Sequence, residues 1–327
     1  SISGISLEEQ VFYSMNVLKM IGLTENFAPV VVFCGHSSTT ENNPYAAALD
    51  CGACGGGPGG DNAEILAHVL NDKRVRAELS KLEILIPEST VFYGAEHNTT
   101  TDDIKIYNLK PMTSNSIILK QLEDNLISAK KINNISRIKT FNNVSLFENE
   151  FVESNILRKT SDWSEVRPEW GLAGNAMFLI GPRSLSKNIN LKGRSFLHSY
   201  EWDKDTDSSL LEVIMTAPMV VAQWINSQYY FSTVLNDVFG SGTKIVQNVV
   251  GKFGVMKGNL SDLKLGLPIQ SIKKDENEFV HIPLRLSVFI YAPLSSVQLI
   301  VEKHEILKRL VFNEWIKLIV IDPLLNR

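Results

Sequence analysis

The residues best suited to metal or thiol chemistry are concentrated in one stretch, residues 31–62, VVFCGHSSTTENNPYAAALDCGACGGGPGGDN. It holds all three cysteines of the chain, Cys34, Cys51 and Cys54, and one of the six histidines, His36. Deprotonated cysteine and neutral histidine are good ligands of Zn²⁺, which takes four protein ligands in structural sites and three plus water in catalytic ones. This composition predicts that the chemistry of the protein takes place here.

From the residues alone, three interpretations of this stretch are open, beside simple packing of small buried cysteines. All four residues could form a complete local zinc site, since Cys51-x-x-Cys54 has the spacing of zinc fingers. The same pair could be a thiol redox motif with a reversible disulfide, although such motifs open a helix at once and here six residues precede Asp61. The third interpretation is a cysteine nucleophile paired with His36.

Hydropathy patterns place this stretch between a strand and a helix. The β-branched run from Val30 to Phe33 predicts a buried strand, with residues 34–36 at its carboxyl end. Ligands bind at that end of the strands in open α/β sheets. A glycine-rich loop follows Cys51, and Asp61 or Asn62 is expected to cap the next helix.

Further predicted elements alternate along the chain. The predicted helices are Leu7–Ile21 with Ser6 as cap, Asp72–Leu82, Ile118 to about Phe141, and Leu210–Phe231 with a break at Ala217-Pro218; the predicted strands are Thr90–Tyr93, Ala176–Ile180 and Lys317–Ile321. Residues 95–103 are expected to form a polar loop after the second strand, and residues 240–259 a loop. The alternation predicts an α/β fold with a parallel or mixed sheet flanked by helices.

Composition indicates how the chain is divided and which classes of protein it does not belong to. A composition change near Glu153 predicts two parts, 1–152 and 153–327, the second being α/β or α+β and suited to docking a partner. A net charge of −4 gives no reason to expect nucleic acid, and three clustered cysteines in 327 residues do not make a secreted disulfide framework. Because no apolar run reaches about 18 residues, we expect no membrane-spanning helix.

One aromatic cluster stands apart from the cysteine stretch. It consists of Trp224, Tyr229, Tyr230 and Phe231. Two interpretations are open, packing in the core and an exposed patch that docks a partner.

Five longer motifs carry a resemblance to a known family. They are GHSSTTENNPYAAALDCGACGGGPGGDNA, AEHNTTTDD, SDWSEVRPEWGLAGN, FLHSYEWD and MTAPMVVAQWINSQYYFSTV. Together they make the chain resemble the DabA family, the large soluble subunit of bacterial inorganic-carbon uptake complexes. The resemblance extends from about Leu7 to about Pro293.

The resemblance implies a β-carbonic-anhydrase-like first part and a zinc site of two cysteines, one aspartate and one histidine. The family's histidine matches His36 and its second cysteine matches Cys51, whereas Cys34 and Cys54 are not carried over as ligands. The other two family ligands lie in an upstream Cys-x-Asp-x-Arg segment that this sequence lacks. We therefore expect the carboxyl-terminal part of a DabA-like protein, with half of the zinc site and no activity alone.

The chemistry implied by the resemblance is attack of zinc-bound hydroxide on CO₂ to give bicarbonate, since Zn²⁺ lowers the pKa of bound water to about 7. From their positions in the sequence, Glu96 and His97 could lie by the zinc cleft as orienting or proton-transfer groups, or His97 could be a hydrogen-bonded loop residue; Asp50 could orient the loop beside Cys51 or only cap it.

The resemblance also implies a partner, a membrane-embedded subunit similar to proton-conducting antiporters. Together they would form an energy-coupled inorganic carbon uptake complex, with this protein peripheral on the cytoplasmic side of the bacterial inner membrane. The alternative function is a non-catalytic docking module with a structural zinc held by Cys34, His36, Cys51 and Cys54.

Overall fold

The computed structural model describes residues 4–41, 49–51, 56–108, 115–139, 151–162, 174–240, 249–250, 253–254, 266–273 and 277–325. Cys54, residues 163–173 of the third family motif and most of the predicted loop at residues 240–259 lie outside this part of the chain.

Helices and strands alternate through the described residues. The helices are α1 (Leu7–Met20), α2 (Gly60–Asn71), α3 (Lys73–Lys81), α4 (Ser116–Ile138), α5 (Val152–Ser161), α6 (Ser209–Thr216), α7 (Pro218–Val234), α8 (Asn236–Phe239), α9 (Leu294–Lys303) and α10 (Glu305–Phe312). The strands are β1 (Val30–Ser37), β2 (Val91–Asn98), β3 (Ile104–Ile106), β4 (Met177–Ile180), β5 (Ser195–His198), β6 (Val249–Val250), β7 (Phe253–Gly254), β8 (Leu286–Tyr291) and β9 (Ile316–Ile321).

The first sheet has the order β1-β2-β3, with β1 parallel to β2 and β3 antiparallel to β2. Alternation along the strands produces two apolar faces. On one face, Val31, Phe33 and Phe92 pack against α1, α2 and α3. On the other, Val32 and Tyr93 pack against α4 through Leu119, Leu122 and Leu126. The sheet is therefore covered by helices on both sides, as expected for paired parallel strands.

The second sheet is parallel throughout, with the order β5-β4-β8-β9. Its central strand β8 buries Leu286, Val288 and Ile290 completely. The core on that face is completed by residues of α6, α7, α9 and α10. The fold is thus α/β with parallel and mixed sheets flanked by helices, which confirms the predicted fold class.

Several predicted elements are confirmed closely. Ser6 caps α1 in a reciprocal capping box with Glu9, which satisfies two backbone donors at the helix start. Asp72 caps α3 by accepting a hydrogen bond from the backbone of Arg74. The predicted break at Ala217 separates α6 from α7, where Pro218 occupies the first position of the new helix.

Other predictions were wrong in detail. Strand β1 is longer than predicted, since it includes residues 34–36 near its carboxyl end and continues to Ser37, and residues 95–98 belong to β2 and not to a loop, because the two strands pair in register as far as Ser37 and Asn98. Neither Asp61 nor Asn62 caps α2, since that helix begins at Gly60. Strands β5 and β8 were not predicted.

One helical stretch, Ser209–Val234, has the length and composition that could cross a membrane, which the search for apolar runs did not anticipate. In the fold, this stretch is two helices that meet at Ala217, and 44% of its most apolar window is buried. Leu211, Ile214 and Met215 are fully buried in the second core.

The predicted aromatic cluster is divided between core and surface. Tyr229 is buried, and Phe231 packs on Trp315 with ring centroids 5.6 Å apart. Trp224 is 61% exposed. Core packing therefore holds for Tyr229, while docking of a partner at Trp224 stays a prediction.

Helix α5 connects the two sheets in sequence and packs on the first. The backbone amide of Glu41 donates to the carbonyl of Thr160 (2.8 Å), and Lys130 of α4 pairs with Glu153 (3.4 Å). The division into 1–152 and 153–327 stays a prediction.

Candidate metal site at the end of strand β1

His36 lies near the carboxyl end of β1, directly opposite His97 of β2 in the parallel register. Its backbone carbonyl accepts a hydrogen bond from Gly59 (2.8 Å), so the turn before α2 closes over the strand end. Gly35 is required at this crossing, because a Cβ there would overlap the carbonyl of Gly59. The glycines of this stretch therefore bring the start of α2 against His36.

The imidazole of His36 has one ring nitrogen whose environment stands out. Its Nδ1 atom is buried and makes no hydrogen bond. Burial lowers the pKa of His36, while the carboxylate of Asp50 opposes this shift and His97 adds to it. The ring is therefore neutral near pH 7, which is the form that binds a metal.

Asp50 anchors the loop that carries Cys51. Its Oδ1 atom accepts hydrogen bonds from the backbone amide (2.6 Å) and the hydroxyl (2.9 Å) of Ser38, two residues after His36. Cys51 exchanges backbone hydrogen bonds with Gly56 (3.0 Å) and Gly57 (3.1 Å). These contacts bring the Cys51 loop to the same strand end as His36.

His97 is held by a buried polar network. Its Nε2 atom lies 3.0 Å from Asp102, whose other oxygen pairs with Arg137 (2.9 Å) and accepts from Asn133 (2.6 Å). Arg137 also donates to the carbonyls of Thr99 and Thr100. Although burial alone would raise the pKa of Asp102, its hydrogen bond to His97 and the charge of Arg137 lower it. Asp102 is therefore an anion that fixes the orientation of His97.

Glu96 points to the opposite face of the sheet from His36 and His97, because neighbouring residues of a strand alternate. It accepts hydrogen bonds from Ser37 (2.8 Å) and Tyr107 (3.1 Å). The Tyr107 hydroxyl has its pKa raised to about 12 by desolvation and by Glu96. Glu96 thus supports the strand end and the first turn of α2.

Cys34 shares the face of His36 but differs in environment. Desolvation, with the nearby charge of Glu96, raises the pKa of its thiol, which disfavours the thiolate that a metal requires. In the described part of the chain, no group of three or more Cys, His, Asp or Glu could hold a metal ion. Cys54, the fourth member of the predicted local site, lies outside that part.

Sequence reasoning found His36, Cys51, Asp50, Glu96 and His97 but attached no role to Asp102 or Arg137. Asp102 appeared only within the motif AEHNTTTDD. Arg137 is one of several basic residues along α4, with no motif around it. Its role depends on the packing of α4 against the turn between β2 and β3.

A family model described as "Probable inorganic carbon transporter subunit DabA" matches residues 1–316. Proteins with this description match over 98% of the chain: one from Legionella pneumophila (strain Corby) at 54% identity and one from Salinibacter ruber at 47%. The chain covers 42% and 39% of their respective lengths. No solved structure matches. The chain therefore belongs to the DabA family of inorganic carbon transporter subunits.

Proposed function

We propose that this chain supplies His36 and Cys51 to a zinc site that hydrates CO₂ to bicarbonate within the transporter subunit. The observation that carries the proposal is the buried Nδ1 atom of His36, which has no hydrogen-bond partner and lies at the strand end that also holds the Cys51 loop. A ring nitrogen buried without a partner costs free energy unless another group, such as a metal, satisfies it.

His36 and Cys51 are residue types that bind zinc, and they would supply two of its ligands. When bound, Zn²⁺ would lower the pKa of a coordinated water toward 7 and so allow its attack on CO₂. His36 would bind as a neutral ligand, while Asp50 holds Ser38 and hence the loop beside Cys51. Because Zn²⁺ needs at least three protein ligands, we predict that this chain alone does not hydrate CO₂.

His97 is the group best placed to assist, since its side chain is 36% exposed and its orientation is fixed by Asp102. We assign it an orienting or proton-transfer role next to His36. Asp50 and Glu96 act by supporting the strand end, through Ser38 and Ser37 respectively.

The subunit description of the relatives supports the presence of a partner, because a subunit belongs to a complex. We propose a membrane-embedded, antiporter-like partner and a peripheral position on the cytoplasmic side of the bacterial inner membrane. Co-purification of the family-length protein with a membrane protein, dependent on detergent, would be the supporting result.

Zinc per polypeptide tests the site directly, measured by elemental analysis on the family-length protein. We expect about one zinc in the unmodified protein and near zero after His36→Ala or Cys51→Ser, because each change leaves the ion one ligand short. Cys34→Ser and Cys54→Ser are the matched controls and should keep zinc and CO₂ hydration.

The alternative functions predict other results. Loss of zinc in the Cys34→Ser or Cys54→Ser protein would favour a structural zinc in a docking module. Tightly bound zinc near one per chain in residues 1–327 alone would favour it too. A reversible Cys51–Cys54 disulfide in a thiol titration would indicate redox chemistry instead.

A further inference from the structure

We propose that the outer edge of β1 is an interaction surface that receives one more parallel strand. We assign that strand to the portion of the family-length polypeptide that residues 1–327 do not include. The inference goes beyond the proposed function, because it concerns completion of the sheet and holds whether or not zinc binds.

The hydrogen bonds identify which backbone groups face this edge. In a parallel pair, alternate residues direct both of their backbone groups to the same neighbouring strand. The carbonyls of Pro29 and Ser37 bond to the β2 side, through Val91 (2.9 Å) and Thr99 (2.8 Å), whereas His36 bonds to Gly59 on the opposite side. The backbone groups of every second residue therefore face outward, those of Val30, Val32, Cys34 and His36. No described strand pairs with them.

Strand β2, in contrast, is paired on both of its sides, by β1 and by β3. Strand β3 pairs with β2 from Ala95 to His97, and Tyr107 donates to the carbonyl of Gly94 (2.8 Å). At Phe92, the side-chain amide of Asn71 bonds both backbone groups, at 2.7 and 3.0 Å, in the manner of a neighbouring strand.

The edge of β1 lacks the features by which natural proteins block strand addition. Its sequence, VVVFCGHS, spans eight residues and contains no proline, lysine, arginine or acidic residue. Residues 30–33 are only partly buried and Cys34 is exposed, whereas residues 92–95 of β2 are all buried. A strand of such apolar residues normally has neighbours on both sides in a parallel sheet.

The length of the relatives favours one occupant. The chain covers 42% of the Legionella relative, so more than half of that polypeptide lies outside the region that matches this chain. A parallel strand from there would have its carboxyl end beside His36, since the carboxyl ends of parallel strands meet at one edge of the sheet.

Hydrogen exchange of the family-length protein, resolved to single amides by mass spectrometry, tests the pairing. The outward amides of Val30, Val32 and Cys34 are compared with the inward amides of Val31 and Phe33 in the same molecule. We expect the two sets to exchange within about tenfold of each other, because both would be in ladders. Outward amides that exchange about 100-fold faster or more would overturn the proposal.

A photoreactive amino acid in place of Cys34 identifies the occupant. The same substitution at Leu85, which is 70% exposed and far along the chain from β1, is the control. We expect a cross-linked peptide from outside residues 1–327. A cross-link to β1 of a second copy, or a yield no higher than that at Leu85, would overturn the assignment. Zinc content of the same sample reports separately on the proposed function.

Discussion

The two sheets contain equally apolar strands but bury them to different degrees. In the second sheet, Val288 and Ile290 of β8 are fully buried between two neighbouring strands and a layer of helices. In the first sheet, Val30 to Phe33 of β1 remain partly exposed, with a neighbour on one side only. Strand β1 lies at an edge of its sheet, as β9 does in the second, and the strand proposed above would give it the second neighbour that β8 already has.

The same contrast holds for two buried histidines. His281 is fully buried; its Nδ1 accepts from the backbone of Gly174 (2.9 Å) and its ring stacks on Tyr229. His36 is only partly buried and lies beside Asp50 and His97. Each ring has one buried nitrogen without a hydrogen-bond partner. At His281 the ring is surrounded by the core, whereas at His36 the buried nitrogen lies at the strand end where we propose the zinc site.

The largest loss of folding stability should come from a substitution in the polar network around Asp102, which holds the first sheet. Arg137→Ala would leave the buried Asp102 carboxylate without its cation and two threonine carbonyls without donors. We expect a loss of about 3–5 kcal/mol, read by urea dependence of hydrogen exchange in β2. The control is Arg74→Ala, which breaks an ion pair at an exposed arginine, that with Asp72, and should cost far less because solvent screens the pair. Equal losses would show that packing alone holds this sheet.

The next largest effect is a dependence of folding stability on pH that arises from His281. Burial, with the charge of Arg194, lowers its pKa from 6.5 to about 4. Since the unfolded chain then binds the proton more readily, stability is complete above about pH 6.5 and is lost as the pH falls toward 4, by roughly 3 kcal/mol. His281→Gln should flatten this slope in urea titrations at pH 4 to 7. An unchanged slope, equal to that after His68→Gln at an exposed position, would contradict the assignment.

The sequence predicted well those features that local patterns specify. Ser6 caps α1 as predicted, because its side chain reaches a backbone amide three residues away, and the helix predicted from Asp72 to Leu82 is α3 within one residue at each end. His36 and Cys51 could be named as candidate ligands from their residue types and their motif, and their role stays a prediction. These features depend on residues near in sequence, so they required no knowledge of the tertiary fold.

Features that depend on contacts distant in sequence were missed. Strand β8 was not predicted, because its role as a central strand depends on pairing with β4 and β9. The pairing of β1 with β2 extends both strands through polar residues that resemble a loop, including Glu96 and His97. The network around Asp102 joins residues 31 and 35 positions apart, to which no local pattern points.

The smallest expected effect is a difference in folding stability, seen when the same substitution, valine to alanine, is made in each sheet. Val288→Ala removes a fully buried side chain and should cost about 2 kcal/mol, from lost apolar burial plus a cavity. Val32→Ala, at a partly buried position facing the open edge, should cost below about 1 kcal/mol in residues 1–327. Urea unfolding of each sheet, read by hydrogen exchange, provides both values.

The same pair in the family-length protein sharpens the comparison between the sheets. A strand added beside β1 would bury Val32 further, so the cost of Val32→Ala should rise toward that of Val288→Ala, while the cost at Val288 stays unchanged. If the cost at Val32 were the same in both proteins, the open edge would be a permanent surface of the first sheet. His36 and Cys51 would then need their remaining ligands from a segment that reaches the strand end without pairing to β1.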